Sequence, residues 1–526
     1  MGLSLRGWRG AESLFYNHNP TEAKMSKEYL NYIDGKWVPS ETGRVFENRN
    51  PSDWDEVIGT FPKSSAKDVA KAVEAAKKAF PKWSKLPAPK RGEIMLRATE
   101  LLVKKKEEIS LLMAREMGKV ITEARGDTQE AIDTGYYAFG EGRRLFSRNA
   151  PSELPDKLAL TFRRPIGIAG VITPWNFPMA IPSWKIFPAL LSGNCVVFKP
   201  ATDTPGCAAE FVRIFEEAGL PPGVLNLVTG GGGEVGEAIL THPDIGVVSF
   251  TGSVEVGSRI AEIAGKHLKR VSLELGGKNP QIVMPSADLD LAVDGVLWGA
   301  FGTQGQRCTA TSRLIIHEDV YDEMMDRLIK RVKTLRIGDP TKDETQMGPL
   351  VNESQLKTIQ SYVEIGKSEG ASLVYGGYRL TDGELAKGWF HAPTIFEGVK
   401  PGMRIEQEEI FGPVLSVIKV KSLEEAIAVA NGVRYGLSSS IYTRELREAM
   451  RAIEELEAGI TYINAPTIGA ECHMPFGGVK QTGNGHREGG WTAYDIFTEI
   501  KTVYIDYSGT LQRAQIDTDA RTRLDT

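Results

Sequence analysis

Five short apolar runs follow Pro165, at residues 170–173, 195–199, 224–228, 246–250 and 271–275, with helical stretches between them. Strands that alternate with helices at roughly twenty- to thirty-residue intervals are constrained to βαβ units and a parallel sheet covered on both faces. The pattern resumes after Gly277, with strands expected at 280–284, 312–316 and 414–420. The chain therefore reads as α/β, with a second α/β unit behind the first. Its 526 residues exceed one domain of about 100 to 200 residues, so two or three cores are expected.

Upstream, Val69, Val73, Ala76 and Phe80 recur at helical spacing within residues 65–80, and Leu101, Leu102, Ile109 and Leu112 do so within 90–117. Two amphipathic helices follow. The segments 158–164 and 497–507 alternate apolar and polar residues and stand apart from both α/β units. Such strands would be open sheet edges in a monomer, a liability that pairing across subunits relieves, so a dimer or tetramer is expected. Residues 1–26 read as a polar extension without an apolar stretch of signal-peptide or membrane-span length; Met25 is a possible alternative start. Residues 508–526 are polar and charged, a tail that is either disordered or docked on a neighbouring subunit.

Lys plus Arg number 63 against 68 Asp plus Glu, a net charge of -5 that argues against nucleic acid or an anionic membrane as partner. Cys195, Cys207, Cys308 and Cys472 are too few and scattered for a disulfide framework and form no CxxC pair, which suits reduced thiols and a cytoplasmic location. No His or Cys cluster has metal-ligand spacing, so no metal is expected.

Cys308, in Gly-Gln-Arg-Cys-Thr-Ala, lies thirty-four residues after Glu274, in Leu-Glu-Leu-Gly-Gly-Lys. A thiolate attacks a carbonyl carbon well, but the covalent adduct must then be released by an activated water, and a carboxylate can activate one. By residue type alone a lone cysteine is more often a small buried hydrophobe.

Seven ordered motifs change that balance: Thr-Pro-Trp-Asn-Phe-Pro (173–178), Lys-Pro-Ala (199–201), Phe-Thr-Gly-Ser (250–253), Leu-Glu-Leu-Gly-Gly-Lys (273–278), Gly-Gln-Arg-Cys (305–308), Glu-Ile-Phe-Gly-Pro-Val (409–414) and Pro-Phe-Gly-Gly-Val-Lys (475–480). Together they resemble the aldehyde dehydrogenase superfamily over about residues 30 to 507. The resemblance implies a Rossmann-like dinucleotide-binding domain (27–145 and 166–275), an α/β catalytic domain (276–480) and a small β oligomerisation flap (146–165 and 491–507). It also implies NAD(P)-dependent oxidation of an aldehyde to the carboxylic acid through a thiohemiacetal and a thioester on Cys308.

In that resemblance Cys308 is the nucleophile. The Asn176 amide and the Cys308 backbone N–H stabilise the oxyanion, and Glu274 is the base that activates water, its pKa raised by burial between Leu273 and Leu275. Asn176 could instead be a turn or cap residue, and Glu274 a solvent-facing carboxylate. Glu488, in Gly-His-Arg-Glu-Gly (485–489), resembles a second carboxylate that relays protons, or else forms a structural salt bridge. Lys199 would reach the adenosine ribose, with a snorkelling surface lysine as the alternative. Glu409 resembles the residue that holds the nicotinamide ribose. Gly232, Gly236, Phe250, Thr251, Gly252 and Ser253 would bring helix N-termini and backbone N–H groups to the pyrophosphate. Ile172, Thr173, Pro174, Trp175, Thr202, Leu275, Gly276 and Phe411 complete the cofactor set. Phe177, Ile181, Trp184, Arg307 and Phe476 would line a largely apolar substrate tunnel, with Glu471 and His473 near its mouth.

Relatives strict for NAD often carry Glu three residues after the lysine; Thr202 stands there instead, removing repulsion of a 2′-phosphate, so NADP is expected beside NAD. The runs 305–313 and 199–205 resemble the α-ketoglutaric semialdehyde dehydrogenase branch. Acyl transfer to coenzyme A, a dinucleotide-independent cysteine hydrolase and a non-catalytic member of the fold are the competing readings. Glu274 argues against the first, since a hydrolytic base would waste the thioester.

Overall fold

The computed structural model describes residues 27–516. The expected extension 1–26 and most of the expected tail lie outside the described residues. The first seven-stranded sheet runs in the order Arg270–Glu274, Ile245–Thr251, Ile168–Ile172, Cys195–Lys199, Leu225–Leu227, Asn31–Ile33, Lys36–Val38. Its first five strands are parallel, and the last two are an antiparallel hairpin at the edge. Strands Ile168–Ile172 and Cys195–Lys199 are buried at every residue, which is why they read as continuous apolar runs instead of alternating ones. The second seven-stranded sheet has the order Ser372–Tyr375, Thr394–Glu397, Val414–Val420, Thr311–His317, Asn279–Val283, Ser438–Tyr442, Ile460–Ile463, parallel except at its first pair. The fold is α/β with two parallel sheets, as the sequence predicts.

Both expected helices form, as Ala66–Trp83 and Ala88–Met117. Ser65 caps the first reciprocally with Asp68; Gly118, at φ 81°, ends the second in the left-handed conformation that favours glycine. A third helix, Ile121–Glu141, packs against the second and buries small residues, among them Ala124, Ala131, Gly135 and Ala138. Small side chains gave it no strong apolar periodicity in the sequence.

The two alternating segments are not separate edges. Thr498–Asp506 pairs antiparallel with Lys157–Pro165, which also pairs with Asn149–Pro151, in one three-stranded sheet. Leu158, Phe162, Ile500 and Tyr504 are exposed on it. A further small sheet of Lys27–Glu28, Asp53–Pro62 and Val45–Asn50 was not foreseen.

Candidate active site

The segment before Cys308 is strained. After the helical turn Leu297–Phe301 the chain passes through Thr303, Gln304 and Gly305 at φ 48°, 56° and 67°, three successive left-handed residues of which only the last is glycine. Cys308 then stands just before the strand Thr311–His317, where the Asn279 amide donates to the carbonyls of Cys308 (2.8 Å) and Ala310 (2.9 Å). Its thiol is half-buried and lines two cavities, one of about 710 Å³ and one of about 400 Å³. Burial pushes that thiol up to about 12; the carboxylates of Glu409 and Glu274 add to the effect, and the backbone N–H groups of Thr309 and Cys308 oppose it. Asn176 is buried beside it in the larger cavity, donating its amide to the Gln306 carbonyl at 3.1 Å, while its Oδ1 has no partner among the described residues.

Glu274 ends the strand Arg270–Glu274, is 3% exposed, and has no partner for either oxygen among the described residues. Both Glu274 and Cys308 line the smaller cavity. Burial, followed by the Glu488 carboxylate, holds the Glu274 carboxyl well above the usual carboxylate range, with Lys185 and Arg487 pulling the other way. Gly477 makes room: a Cβ there would sit 2.7 Å from Glu274 Oε1. Glu488 is also buried, ion-paired with the buried Lys185 and accepting from Ser249 Oγ at 3.3 Å. Backbone bonds in both directions tie it to Phe476, so the salt bridge and one wall of the smaller cavity are built together.

The larger cavity is walled by Pro174, Trp175, Thr251, Gly252, Ser253, Leu275, Gly276, Glu409 and Phe411 from the expected cofactor set. Trp175 and Phe411 meet edge to face at 5.4 Å. The helix Val254–Lys266 starts at the wall, with Ser253 accepting from the Val256 N–H, so its free N-terminal N–H groups favour an anion there. Glu409 accepts from Gly277 N–H at 3.0 Å, and a Cβ on Gly276 would collide with its carboxylate. Burial lifts Glu409 to about 7. Ile172, Thr173, Lys199, Thr202, Gly232, Gly236 and Phe250 do not form this wall. Lys199 is buried and donates to the Pro200 carbonyl at 2.7 Å, and burial lowers it to about 8; Gly236 packs on its stem and Thr202 is exposed. A cavity of this size, with a buried carboxylate and a helix N-terminus in its wall, fits a dinucleotide.

Phe177, Ile181, Trp184, Arg307 and Phe476 all line the smaller cavity, and the Trp184 and Phe476 rings pack at 4.7 Å. Glu471 and His473 lie outside that wall, 3.4 Å from one another. The sequence reading missed Glu123, Asp127 and Glu130, which face the cavity from one side of the helix Ile121–Glu141 at i, i+4 and i+7 spacing. That spacing of acids was the available signal. Asp127 is neutralised by the buried Lys119 at 2.8 Å, Glu123 by Arg307 at 2.7 Å, and burial raises the Glu130 carboxyl to about 8.

The model of the aldehyde dehydrogenase family matches residues 37–503. The chain belongs to the aldehyde dehydrogenase family. It is 45% identical over 477 residues to the alpha-ketoglutaric semialdehyde dehydrogenase of Bacillus subtilis strain 168, covering 91% of this chain and 98% of the relative. It is 46% identical over 485 residues to the alpha-ketoglutarate semialdehyde dehydrogenase of Haloferax volcanii, covering 92% and 100%. The solved NAD-dependent aldehyde dehydrogenase of Sinorhizobium meliloti superposes with a TM-score of 0.91 at 38% identity, covering 94% of this chain and 98% of that one. The enzyme oxidises aldehydes with a nicotinamide dinucleotide as hydride acceptor. No helix of the described residues is long and apolar enough to cross a membrane.

Proposed function

We propose that Cys308 forms a thiohemiacetal and then a thioester with the aldehyde carbon, and that Glu274 activates the water that releases the acid. The observation that carries this reading is that the Cys308 thiol lines both cavities, the one that fits a dinucleotide and the one walled by Trp184 and Phe476. The Asn176 amide and the Cys308 N–H stabilise the oxyanion, since the Asn176 side chain reaches the backbone carbonyl two residues before the sulfur. Glu409 and the N-terminus of Val254–Lys266 hold the dinucleotide, with Lys199 and Thr202 at its adenosine end; bound there, it supplies a hydride acceptor beside the sulfur. Glu274, unpaired and with its carboxyl held well above the usual range by burial first and by the neighbouring Glu488 second, can take a proton from water once it ionises; Glu488 is itself bound to Lys185. Cys308→Ala tests this directly. It should remove aldehyde oxidation while leaving dinucleotide binding, and a variant as active as the parent would refute the reading.

The substrate is an ω-oxo carboxylate of the α-ketoglutaric semialdehyde type. Arg307 supports this: its guanidinium lies over Phe177 (5.4 Å) and Trp298 (5.9 Å), and Nε and Nη2 are engaged by Thr303 and Glu123. The guanidinium faces the smaller cavity and suits a carboxylate. NADP serves beside NAD because Thr202 adds no carboxylate there; the one that does act on Lys199, from Asp203, is held by the Asn352 amide at 2.8 Å. Residues 27–145 and 166–275 carry the dinucleotide, 276–480 the nucleophile, and the three-stranded sheet mediates a dimer or tetramer through exposed Leu158, Phe162, Ile500 and Tyr504. The reduced-thiol composition supports a cytoplasmic location.

A further inference from the structure

We propose that Glu123 is a positioning residue for the nucleophile: its carboxylate latches the left-handed turn at Thr303–Gly305 and thereby fixes where Cys308 presents its sulfur. This rests on Cys308 being the nucleophile. Thr303 and Gln304 sit at φ 48° and 56°, a region that side chains other than glycine adopt only when their surroundings hold them there. Glu123 holds the first. Its Oε2 accepts from the Thr303 N–H at 2.7 Å and from Thr303 Oγ1 at 3.0 Å, and its Oε1 accepts from Arg307 at 2.7 Å. Arg307 in turn donates through Nε to Thr303 Oγ1 at 3.0 Å, closing a ring of contacts around the turn.

The second left-handed residue is held from the same side of the fold. Gln304 donates to the carbonyl of Gly118, at the end of the helix that precedes Glu123, at 3.1 Å. Gln306 donates to Gln304 Oε1 at 3.1 Å and accepts from the Val351 N–H, also at 3.1 Å. Gly302 admits the carboxylate: a Cβ there would lie 2.8 Å from Glu123 Oε1 and 3.0 Å from Trp298. The helix Ile121–Glu141 therefore reaches across the substrate cavity and grips the backbone five residues before the sulfur. One carboxylate does two jobs: it forms part of the cavity wall and orients both the turn and Arg307.

Charge-assisted bonds to two backbone or hydroxyl donors and one guanidinium are the strong kind, and a nucleophile displaced by about 1 Å loses on the order of 10²-fold in rate. The test is Glu123→Ala, Glu123→Gln and the double variant Glu123→Ala with Thr303→Gly, each measured for kcat, dinucleotide affinity and the alkylation rate of Cys308 by iodoacetamide. Cys308→Ala is the control. Glu123→Ala should lose about 10- to 100-fold in kcat and change the alkylation rate. Dinucleotide affinity should stay within about two-fold, because Glu123 is not in the wall of the larger cavity. Glu123→Gln keeps the side-chain volume and one acceptor for Thr303, so it should fold like the parent and recover part of the kcat. Thr303→Gly removes the strain that the latch restrains and should restore part of the loss in the double variant. Parental kcat in Glu123→Ala would overturn the proposal, as would a loss that neither Glu123→Gln nor Thr303→Gly relieves. If Cys308→Ala were itself active, the nucleophile assignment would have failed instead, and the two failures are told apart by that control.

Discussion

Replacing Glu409 by Gln should make the protein more stable at alkaline than at acid pH relative to the parent, and it should weaken the dinucleotide. The carboxyl faces the larger cavity and accepts from Gly277 N–H, but burial lifts it from 4.5 to about 7. The fold thus binds this proton more tightly than the unfolded chain does. The stability that follows is fully present below pH 4.5 and is lost as pH rises through about 7. At roughly 1.4 kcal/mol per pH unit the whole effect is about 3 kcal/mol, of which about 2.5 kcal/mol falls between pH 5 and pH 8. A glutamine keeps the acceptor for Gly277 and does not titrate. Its thermal midpoint should therefore gain on the parent by about 2 °C from pH 5 to pH 8 in differential scanning fluorimetry. The same proton governs the cofactor. A neutral acid is a poorer acceptor for ribose hydroxyls, so the parent's KM for the dinucleotide should rise as pH falls below about 7, while the variant's should be higher at pH 8 and flat with pH. A variant whose stability relative to the parent stays constant from pH 5 to pH 8, or falls over that range, would refute the argument.

Glu274→Gln should leave the first turnover intact, seen as a stoichiometric burst of reduced dinucleotide, and slow the steady state by about 10²- to 10⁴-fold; a parental steady state would remove Glu274 as the base. Because burial keeps its proton, the parent's deacylation rate should climb with pH well above the usual carboxylate range, and this climb should vanish in the variant. Thr202→Glu should shift the ratio of kcat/KM toward NAD by about ten-fold or more, since a carboxylate would repel the 2′-phosphate; an unchanged ratio in side-by-side kinetics would contradict the placement. Arg307→Leu should raise KM for ω-oxo acids by about 10- to 100-fold and barely change it for uncharged aldehydes of similar length, because a charge-assisted bond contributes roughly 1.5 to 3 kcal/mol; equal changes for both substrate types would remove Arg307 as the carboxylate receptor.

Five strands of the first sheet and three of the second were legible because a strand buried on two faces must be continuously apolar, and 195–199 and 414–420 contain little else; 372–375, 394–397, 438–442 and 460–463 of the second sheet and the edge hairpin 31–38 of the first were not read. Cys308, Glu274 and Asn176 were legible as candidates because each sits in a local string that resembles a motif of the family; residue type alone favoured other readings. Strands 158–164 and 497–507 were visible as strands and the resemblance put them in one flap, yet their register was not readable, since pairing between segments more than three hundred residues apart has no local signature. The helix Ile121–Glu141 escaped because its buried face mixes alanine and glycine with Thr, Asp and Glu and carries only Ile121 and Ile132 as large apolar residues.

Local chemistry is therefore written in the chain: which residues can attack, which can accept a proton, which segments must be buried. Tertiary structure alone decided that Glu123, Asp127 and Glu130 face the same cavity as Arg307, and that Glu488 is consumed by Lys185 while Glu274 is left unpaired. The protonation states follow from this, because burial and neighbouring charge depend on what lies across a cavity, and neither is a property of the residue that titrates.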